Sequence, residues 1–325
     1  MHSVAKILLV SLVLSGCSAS LPPREEVAGL RVLGVRLSPP SATEGEDVTA
    51  DALVIAPTGE EATLTWYVCL APISAGSYFS ESVDRSDCPH GDEIYGTHLG
   101  QSESASFTVP NDFMDQVAAE LEDYGFEPSD GEMSQAVQGL LAVAGWYLKV
   151  TLIAETDTER IEVQKRLVVT LLPGQNENPT PPTLVLEEVV EGQDAAPLVT
   201  TAAEQPTGAC LSPESPLHTV ANATYRLSPV NLPSPPESYT VLDFVGGAQT
   251  RDETLFYSWF STAPGLSSPV TKSPDAHPVA FDIKNVEDEA LIVSEDGRSA
   301  IPIWVVVRDG RGGTSWCHDQ IPYLP

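Results

Sequence analysis

Short runs rich in valine, isoleucine, threonine and aromatic residues recur along the chain, most of them bounded by glycine or proline. Runs of this length and composition predict β-strands. Before the middle of the chain they lie at 30–38, 48–56, 62–71, 104–109, 146–155 and 160–172. Beyond it they lie at 182–190, 239–247, 254–262, 278–286, 301–309 and 314–324. The pattern therefore predicts a mainly β protein.

The strand-like runs follow the same order in both halves of the chain. The best-matched pair is TLTWYVC, which contains Trp66, and LFYSWFS, which contains Trp259. Residues 173–183, PGQNENPTPPT, separate the halves and have the composition of a stiff polar linker. Short antiparallel strands with a tryptophan on the third predict one β-sandwich at 30–172 and a second at 184–325.

The helical pattern lies in an insertion at residues 111–144. The spacing from Trp66 to Tyr147 exceeds that from Trp259 to its apparent counterpart Trp304, and the insertion is expected to supply nearly all of the difference. Apolar residues at helical spacing predict two helices here, with Asn111 capping the first. The apolar face of the first helix would be Phe113, Met114, Val117, Leu121 and Tyr124. The second helix would begin with a capping box of Ser129 and Glu132, and its apolar face would be Met133, Val137, Leu140, Leu141 and Ala144. Packing against each other or the sheet is the preferred interpretation, and a partner-binding groove is the alternative.

The segment Val305–Trp316, VVVRDGRGGTSW, is an alternating strand that enters a turn rich in aspartate and glycine before the last strand. Glycines at 310, 312 and 313 suit the positive φ angles of such a turn. In this hairpin the chain resembles the PKD-like and other immunoglobulin-like repeats of bacteria. The resemblance implies two tandem immunoglobulin-like β-sandwiches, the first with the two-helix insertion and the second also PKD-like.

The N-terminus has a short basic region and then an apolar run, residues 7–16, that is too short to span a bilayer. The run ends in Leu14, Ser15, Gly16 and Cys17. This order resembles the lipobox of bacterial lipoproteins, which implies removal of residues 1–16 as a signal peptide and attachment of palmitate-like acyl chains at Cys17. Ser18 implies the outer membrane, since lipoproteins kept in the inner membrane usually have aspartate there. Residues 17–29 would form the tether. An ordinary signal peptide or a buried helix is the alternative.

The negative charge of the chain limits the kinds of partner that it can bind. The formal net charge of −30 repels nucleic acid and anionic head groups, so no nucleic-acid partner is expected. Both halves share the acidic excess, which is typical of a solvated surface. No later apolar stretch has the length of a transmembrane helix. The membrane is therefore expected as a partner only through the lipid on Cys17.

The remaining cysteines predict two disulfides with three possible connectivities, because an even number in an exported chain favours pairing. These cysteines are Cys69, Cys88, Cys210 and Cys317. Cys69 alternates with Trp66 and Val68 along its strand, so it is expected to face away from the core, and an inter-sheet core disulfide is not expected. We therefore pair Cys69 with Cys88 in the following polar loop, and by elimination Cys210 with Cys317.

The sequence contains no G-x-S-x-G elbow, HExxH motif, P-loop or dinucleotide fingerprint. The nearest arrangement to a metal cluster is DRSDCPHGDE, residues 84–93. Weak calcium ligands there are Asp84, Asp87, Asp92 and Glu93, whereas zinc would use Cys88, His90 and His98. The spacing fits neither ion's usual motifs, so a solvated polar loop is preferred and no metal or cofactor is expected.

Together these features predict a non-enzymatic, lipid-anchored envelope protein that acts as a binding or structural module. One alternative is a glycan-active enzyme or accessory with its site in loop 72–103, since any acidic sandwich offers carboxylate pairs. Another is an assembly subunit of an envelope complex that docks through the helices at 111–144. The expected partners are the membrane and an envelope protein or a glycan.

Overall fold

A computed structural model describes residues 26–56, 60–70, 95–123, 145–171, 176–189, 196–197, 210–211, 219–220, 223–229, 237–243, 247–273, 279–283, 286, 288–293 and 299–324. The first half contains β1 (Arg31–Ser38), β2 (Ser41–Ala42), β3 (Asp47–Ile55), β4 (Thr63–Cys69), β5 (Thr97–Gln101), β6 (Ser104–Thr108), α1 (Phe113–Asp123), β7 (Trp146–Glu155) and β8 (Arg160–Val169). The protein is mainly β, as predicted.

The second half contains β9 (Leu184–Glu188), β10 (Ala196–Pro197), β11 (Thr219–Val220), β12 (Thr224–Pro229), β13 (Ser238–Asp243), β14 (Gly247–Asp252), β15 (Phe256–Ser261), β16 (Val270–Lys272), β17 (Val279–Asp282), β18 (Ile292–Val293), β19 (Ser299–Arg308) and β20 (Thr314–Leu324). A 3-10 turn, Asp288–Ala290, precedes β18. Each predicted run overlaps an observed strand. The run at 239–247 is wrong as a single strand, because it spans β13 and reaches the start of β14.

The first half folds as a β-sandwich, which we call sandwich 1. One sheet has the order β1-β3-β6 and the other β2-β8-β7-β4-β5. Alternate residues of both sheets point inward and form one apolar core around Trp66 and Leu152. The arrangement is immunoglobulin-like, because strands equivalent to A, B and E form one sheet and those equivalent to G, F and C form the other.

The second half repeats the core of this topology, as sandwich 2, whereas β10, β18 and the separate β13–β14 hairpin have no counterpart in sandwich 1. Its sheets have the orders β10-β9-β12-β17 and β11-β20-β19-β15-β16, and β18 also pairs with β19. A short parallel pairing recurs at the same place, since β2 pairs with β8 and β11 with β20. The core surrounds Trp259. The repeated strand order that the sequence suggested is therefore present in the sheets.

The two core tryptophans occupy matching positions. Trp66 Nε1 donates to the Ser102 carbonyl, and Trp259 Nε1 donates to Thr271 Oγ1, both at 3.0 Å. Trp66 lies opposite Leu152, and Trp259 lies opposite Val305. The expected equivalence of Tyr147 with Trp304 is wrong, because this register makes Thr151 the counterpart of Trp304.

The extra length of sandwich 1 comes from two connections. Residues 70–96 join β4 to β5, whereas the equivalent β15–β16 connection is only 262–269. Residues 109–145 join β6 to β7, whereas 283–298 join β17 to β19 and include the short β18. Assigning nearly all of the difference to 111–144 was therefore wrong. The sequence did not separate β5 from the polar loop that precedes it.

The helix α1 packs on sandwich 1. Phe113 and Val117 are fully buried in its core, so this part of the apolar face is covered. The Met114 N–H donates to the Glu44 carboxylate at 2.6 Å, which places a negative charge at the helix N-terminus, where the helix dipole favours it. The two-helix insertion is not supported, since the described residues of this segment form one short helix. The second expected helix lies outside them.

The two sandwiches contact each other, and the apolar part of the contact joins one sheet of each. Trp304 and Val306 flank the core residue Val305 on β19, so they point out of sandwich 2. Leu33 of β1 packs against them from sandwich 1, and Val27, which precedes β1, joins the same cluster. A third apolar cluster therefore lies between the sheet that contains β1 and the sheet that contains β19.

Candidate functional site: the seam between the sandwiches

We call the contact between the sandwiches the seam. Its buried apolar centre is Val27, Leu33, Trp304 and Val306, surrounded by Leu53, Ile55, Phe260 and Trp316. The Arg36 guanidinium lies 4.7 Å from the Trp316 ring centre, across the seam, and also pairs with Asp51 at 3.1 Å. Apolar burial supplies most of the free energy of such a contact, and the cation over the ring adds a smaller part.

Arg308, the last residue of β19, fixes the backbone of β1. Its Nη2 donates to the Leu33 carbonyl oxygen at 2.7 Å, and its Nη1 donates to Ser258 Oγ at 3.0 Å. Leu33 is the unpaired residue of the β-bulge in β1, where the register with β3 shifts between Val32 and Gly34. The guanidinium therefore bonds a backbone group at an irregular point of the sheet.

The linker is built into the seam. Asn178 Nδ2 donates to the Leu37 carbonyl at 2.7 Å and to Ser38 Oγ at 3.2 Å, both in sandwich 1. Asn178 Oδ1 accepts from the Thr314 backbone N–H at 2.9 Å, in sandwich 2. One amide side chain thus bonds both sandwiches. The segment predicted as a stiff polar spacer holds their backbones together.

Lys165 adds a second bridge. Its Nζ donates to Thr314 Oγ1 at 2.9 Å. Burial lowers the pKa of Lys165 to about 8, the nearby Arg308 charge acts in the same direction, and Asp309 opposes both. Near neutral pH the seam therefore holds a lysine whose charged form is disfavoured by its surroundings.

A cluster of hydrogen-bonded polar groups around Asp309, which we call the knot, lies at the turn between β19 and β20. The Asp309 carboxylate accepts from the N–H groups of Arg311 and Gly313, at 2.7 and 3.1 Å, and from Asn176 Nδ2 of the linker at 2.7 Å. A Cβ on Gly313 would lie 2.2 Å from Asp309 Oδ2, so glycine is required for this close approach. The aspartate and glycines of the resemblance motif thus hold the linker as well as the turn.

Arg311 extends the knot to the β13–β14 hairpin. Its Nη2 lies 2.8 Å from a Glu237 carboxylate oxygen and 2.9 Å from one of Glu253, and its guanidinium lies over the Tyr239 ring at 4.4 Å. Burial raises the pKa of Glu253, and its hydrogen bond to Arg311 acts against this. The base of the β13–β14 hairpin is therefore bound to the last turn of sandwich 2.

This arrangement favours a fixed geometry of the two sandwiches. Its charged and amide groups are engaged with backbone groups and with each other on both sides of the seam. Bonds of this kind each contribute modestly, but together with a buried apolar centre they specify one relative placement of two domains. A rigid tandem is what these residues can build.

The predicted lipidation and metal residues lie outside the described part of the chain: Cys17, Asp84, Asp87, Cys88, His90, Asp92 and Glu93. Of the proposed ligands, the structure describes only His98, an exposed residue of β5 whose ring lies 5.2 Å from that of Tyr67. Within the described ranges, no group of histidine, cysteine and acidic side chains is arranged to hold a metal ion. Loop 72–103, proposed for a glycan site, is described only from residue 95.

Cys210 and Cys317 form a disulfide, as predicted. It lies within the core of sandwich 2. The Cys210 N–H donates to the His318 carbonyl of one sheet, and the Cys210 carbonyl accepts from the Leu184 N–H of the other. The expectation that no disulfide would join the sheets through the core is therefore wrong here, because Cys317 shares the inward face of its sheet with Val305.

Cys69 behaves as alternation predicts. Trp66 and Val68 belong to the core of sandwich 1 and Cys69 does not, although its side chain is buried. Cys69 is disulfide-bonded. Its pairing with Cys88 lies partly outside the described residues and stays a prediction.

Sequence reasoning missed the seam, but one signal was available. In β19 the residues Ala300–Val307 are buried without alternation. A continuous apolar run of this kind is typical of a strand covered on both faces. The run IPIWVVV therefore indicated that something packs on the outer face of sandwich 2, although not what.

Among the described residues, no helix has the length and apolar character needed to cross a membrane. Neither a protein-family model nor a curated protein matches the sequence.

Solved structures give weak likenesses. A chimeric titin Z1Z2-Z1Z2 tandem functionalised with a GRGDS peptide from fibronectin matches over 91% of this chain and 100% of its own, at 9% identity and a TM-score of 0.20. Titin domains Z1Z2 in complex with telethonin match over 90% and 98%, at 8% identity and 0.17. Escherichia coli alpha-2-macroglobulin activated by porcine elastase matches over 94% of this chain and 23% of its own, at 10% identity and 0.21.

Proposed function

We propose that the protein is a lipid-anchored, non-enzymatic protein of the bacterial outer membrane, in which two locked sandwiches act as a rigid binding or structural module. The main support for the rigid module is the contact that we call the seam. Asn178 and Arg308 bond backbone groups across it, and an apolar cluster fills its centre. A module that must present a surface at a set distance and angle needs a fixed joint of this kind.

The lipid part of the proposal rests on Leu14–Cys17 and on the short chain that follows. Its test is fractionation of cells that produce the full-length precursor. We expect the wild-type protein to incorporate a labelled fatty acid and to enter the outer-membrane fraction, whereas Cys17→Ser remains unlabelled and leaves that fraction. Ser15→Ala, a change between small residues, is the matched control. Labelling of Cys17→Ser would overturn the lipid anchor.

The rigid part has a separate test. We expect small-angle scattering of a variant starting at Ser18 to fit one fixed arrangement of the two sandwiches. Unfolding followed by tryptophan fluorescence and by circular dichroism is expected to coincide, because a shared seam couples the sandwiches. Scattering that requires a broad ensemble of relative orientations would sink this part of the proposal.

A further inference from the structure

The segment before β1 crosses from one sandwich to the other. The Val27 N–H donates to the carbonyl of Ser261, the last residue of β15, at 2.9 Å, and the Val27 side chain is 2% exposed in the apolar centre of the seam. Three residues later, the Leu30 N–H donates to the carboxylate of Glu159, in the turn between β7 and β8. We call residues 26–30 the strap. The last part of the predicted tether, residues 26–29, is therefore bound to the fold.

The strap and the linker hold opposite ends of β1. The strap leads directly into Arg31, the first residue of β1. Asn178 of the linker bonds the Leu37 carbonyl and Ser38 Oγ, where β1 ends. A strand of eight residues spans about 23 Å, so these two attachments are far apart.

Sandwich 2 shows the same separation between the two attachments. Ser261, which the strap contacts, pairs with Ile303 in the first half of β19. Thr314, which the linker contacts, pairs with Arg308 at the end of β19. The seam therefore has a strap end and a linker end, and β1 extends from one to the other.

The two ends of the seam are held by different kinds of contact. At the linker end, Asn178 and Lys165 both bond Thr314, and the polypeptide itself continues from one sandwich to the other. The strap is covalently continuous with sandwich 1 through β1, but it holds sandwich 2 by hydrogen bonding and by the burial of Val27. Covalent connection keeps two groups at a high local concentration, so the linker end is the more persistent of the two.

Release of the strap breaks fewer interactions than release of β1. The strap meets sandwich 2 through Glu26 and Val27, at Ser261. In contrast, β1 pairs with β3 from Arg31 to Ser38. Local opening of a folded protein begins where few interactions must break, so the strap end is the place at which the seam opens first.

We infer that the strap is a releasable fastener of the seam: when residues 26–27 leave β15, the two sandwiches open about the linker end while both cores stay folded. This goes beyond the rigid module proposed above, because it makes the fixed geometry conditional on a short segment. The chain that precedes residue 26 joins the described fold at the strap. A pull on that chain therefore acts on the strap before it acts on β1.

The test measures distances across both ends of the seam in the variant starting at Ser18. Pairs of spin labels are placed at exposed positions, one in each sandwich. Asp157→Cys with Val293→Cys reports on the strap end, because these residues lie beside the Glu159 turn and beside the start of β19. Thr108→Cys with Lys272→Cys reports on the linker end, at the ends of β6 and β16.

Val27→Asp is the variant that should release the strap, since it places an unpaired carboxylate in the apolar centre of the seam. Ala28→Asp, which adds the same charge at the neighbouring exposed position, is the matched control. We expect Val27→Asp alone to widen the 157–293 distance distribution, roughly twofold, because an open state becomes populated. The 108–272 distribution should stay unchanged in both variants. Equal 157–293 distributions in the two variants, or equal widening at both ends of the seam, would overturn the inference.

A milder variant keeps the test decisive if Val27→Asp does not fold. Val27→Ala should widen the same 157–293 distribution by a smaller amount, and no widening relative to the wild-type protein would count against the strap. The wild-type distributions separate this inference from the rigid module. They are expected to be narrow at both ends, and broad wild-type distributions at both ends would contradict the rigid module and the strap together.

Discussion

Asn178 Oδ1 accepts a hydrogen bond of 2.9 Å from the backbone N–H of Thr314, and the amide of the same side chain donates to the Leu37 carbonyl. A linker residue thus joins strands from two domains through their main chains. Backbone groups persist in every substitution except the loss of an N–H on change to proline, so the bond tolerates most sequence changes at both of its partners. The linker side chain is the point at which the joint can be tested.

Asn178→Ala is expected to lower the free energy of unfolding by about 2–3 kcal/mol, because it leaves a partly buried carbonyl and N–H without their partner. Urea denaturation measures the change. Gln164→Ala, at an exposed position of β8, is the control and should change stability by less than about 0.5 kcal/mol. Equal stability of the two variants would contradict the role of Asn178.

Leu33→Ala tests the apolar centre of the seam. Removing a buried leucine side chain costs about 2–5 kcal/mol, and the cost grows with the cavity left behind. We also expect the two sandwiches of the variant to sample more than one orientation in solution scattering. Val293→Ala removes an exposed side chain and should leave both quantities unchanged.

Lys165→Met tests the buried cation. The pKa of Lys165 is about 8 in the folded protein, below the ordinary lysine value of 10.5, so the unfolded chain holds the proton more tightly. The wild-type protein therefore gains stability as the pH rises from about 8 to 10.5. At pH 7 we expect the variant to be more stable by about 1–3 kcal/mol, less the lost bond to Thr314.

This advantage of Lys165→Met should shrink through the same pH window and vanish above it, where lysine is neutral in both states. Denaturation of both proteins between pH 6 and pH 11 measures the difference. A difference that does not change with pH would show that Lys165 is not held in an unfavourable charged state.

Two glycines of the last turn should respond differently to alanine. A Cβ at Gly313 meets Asp309 Oδ2 at 2.2 Å and the Glu177 carbonyl at 2.8 Å, so Gly313→Ala is expected to cost about 1–3 kcal/mol by overpacking. At Gly310 the nearest atom is 3.7 Å away, and its φ of 76° leaves a backbone cost of about 1 kcal/mol. Thermal denaturation that ranks Gly310→Ala as the more damaging variant would contradict the close packing of the knot.

Disulfide mapping tests the remaining pairing. Digestion of the mature protein under non-reducing conditions should give one peptide that joins Cys210 to Cys317 and another that joins Cys69 to Cys88. The first pair closes a segment with a sequence separation of 107, and its removal is expected to cost about 4–5 kcal/mol. A peptide linking Cys69 to any cysteine other than Cys88 would show that our pairing is wrong.

The strands of each half were predictable because their pattern is local. Trp66 and Trp259 were matched by their neighbours in sequence, and both are core residues of equivalent strands. Short strands such as β2, β11 and β16 have no pattern of their own and exist because a longer neighbour offers hydrogen-bonding groups. Sequence periodicity cannot identify such strands.

The seam was not predictable for a different reason. Asn178, Arg308 and Lys165 are polar residues whose partners in the other sandwich lie 136 to 275 positions away along the chain. Only the folded sandwiches bring them together. Alternation along β4 correctly predicted that Cys69 faces away from the core of sandwich 1. It made no prediction for Cys210, because that residue lies outside the predicted strands.

The two halves share one fold, but their apolar surfaces meet through different sheets: sandwich 1 through the sheet that contains β1, sandwich 2 through the sheet that contains β19. The contact is therefore heterologous, like a head-to-tail contact between subunits, and no two-fold axis relates the halves. Equivalent positions have consequently acquired different tasks. Trp304 and Val306 bind the neighbouring domain, whereas their counterparts in sandwich 1 are Thr151 and Ile153. The two sandwiches therefore form an asymmetric pair, in which neither can take the place of the other.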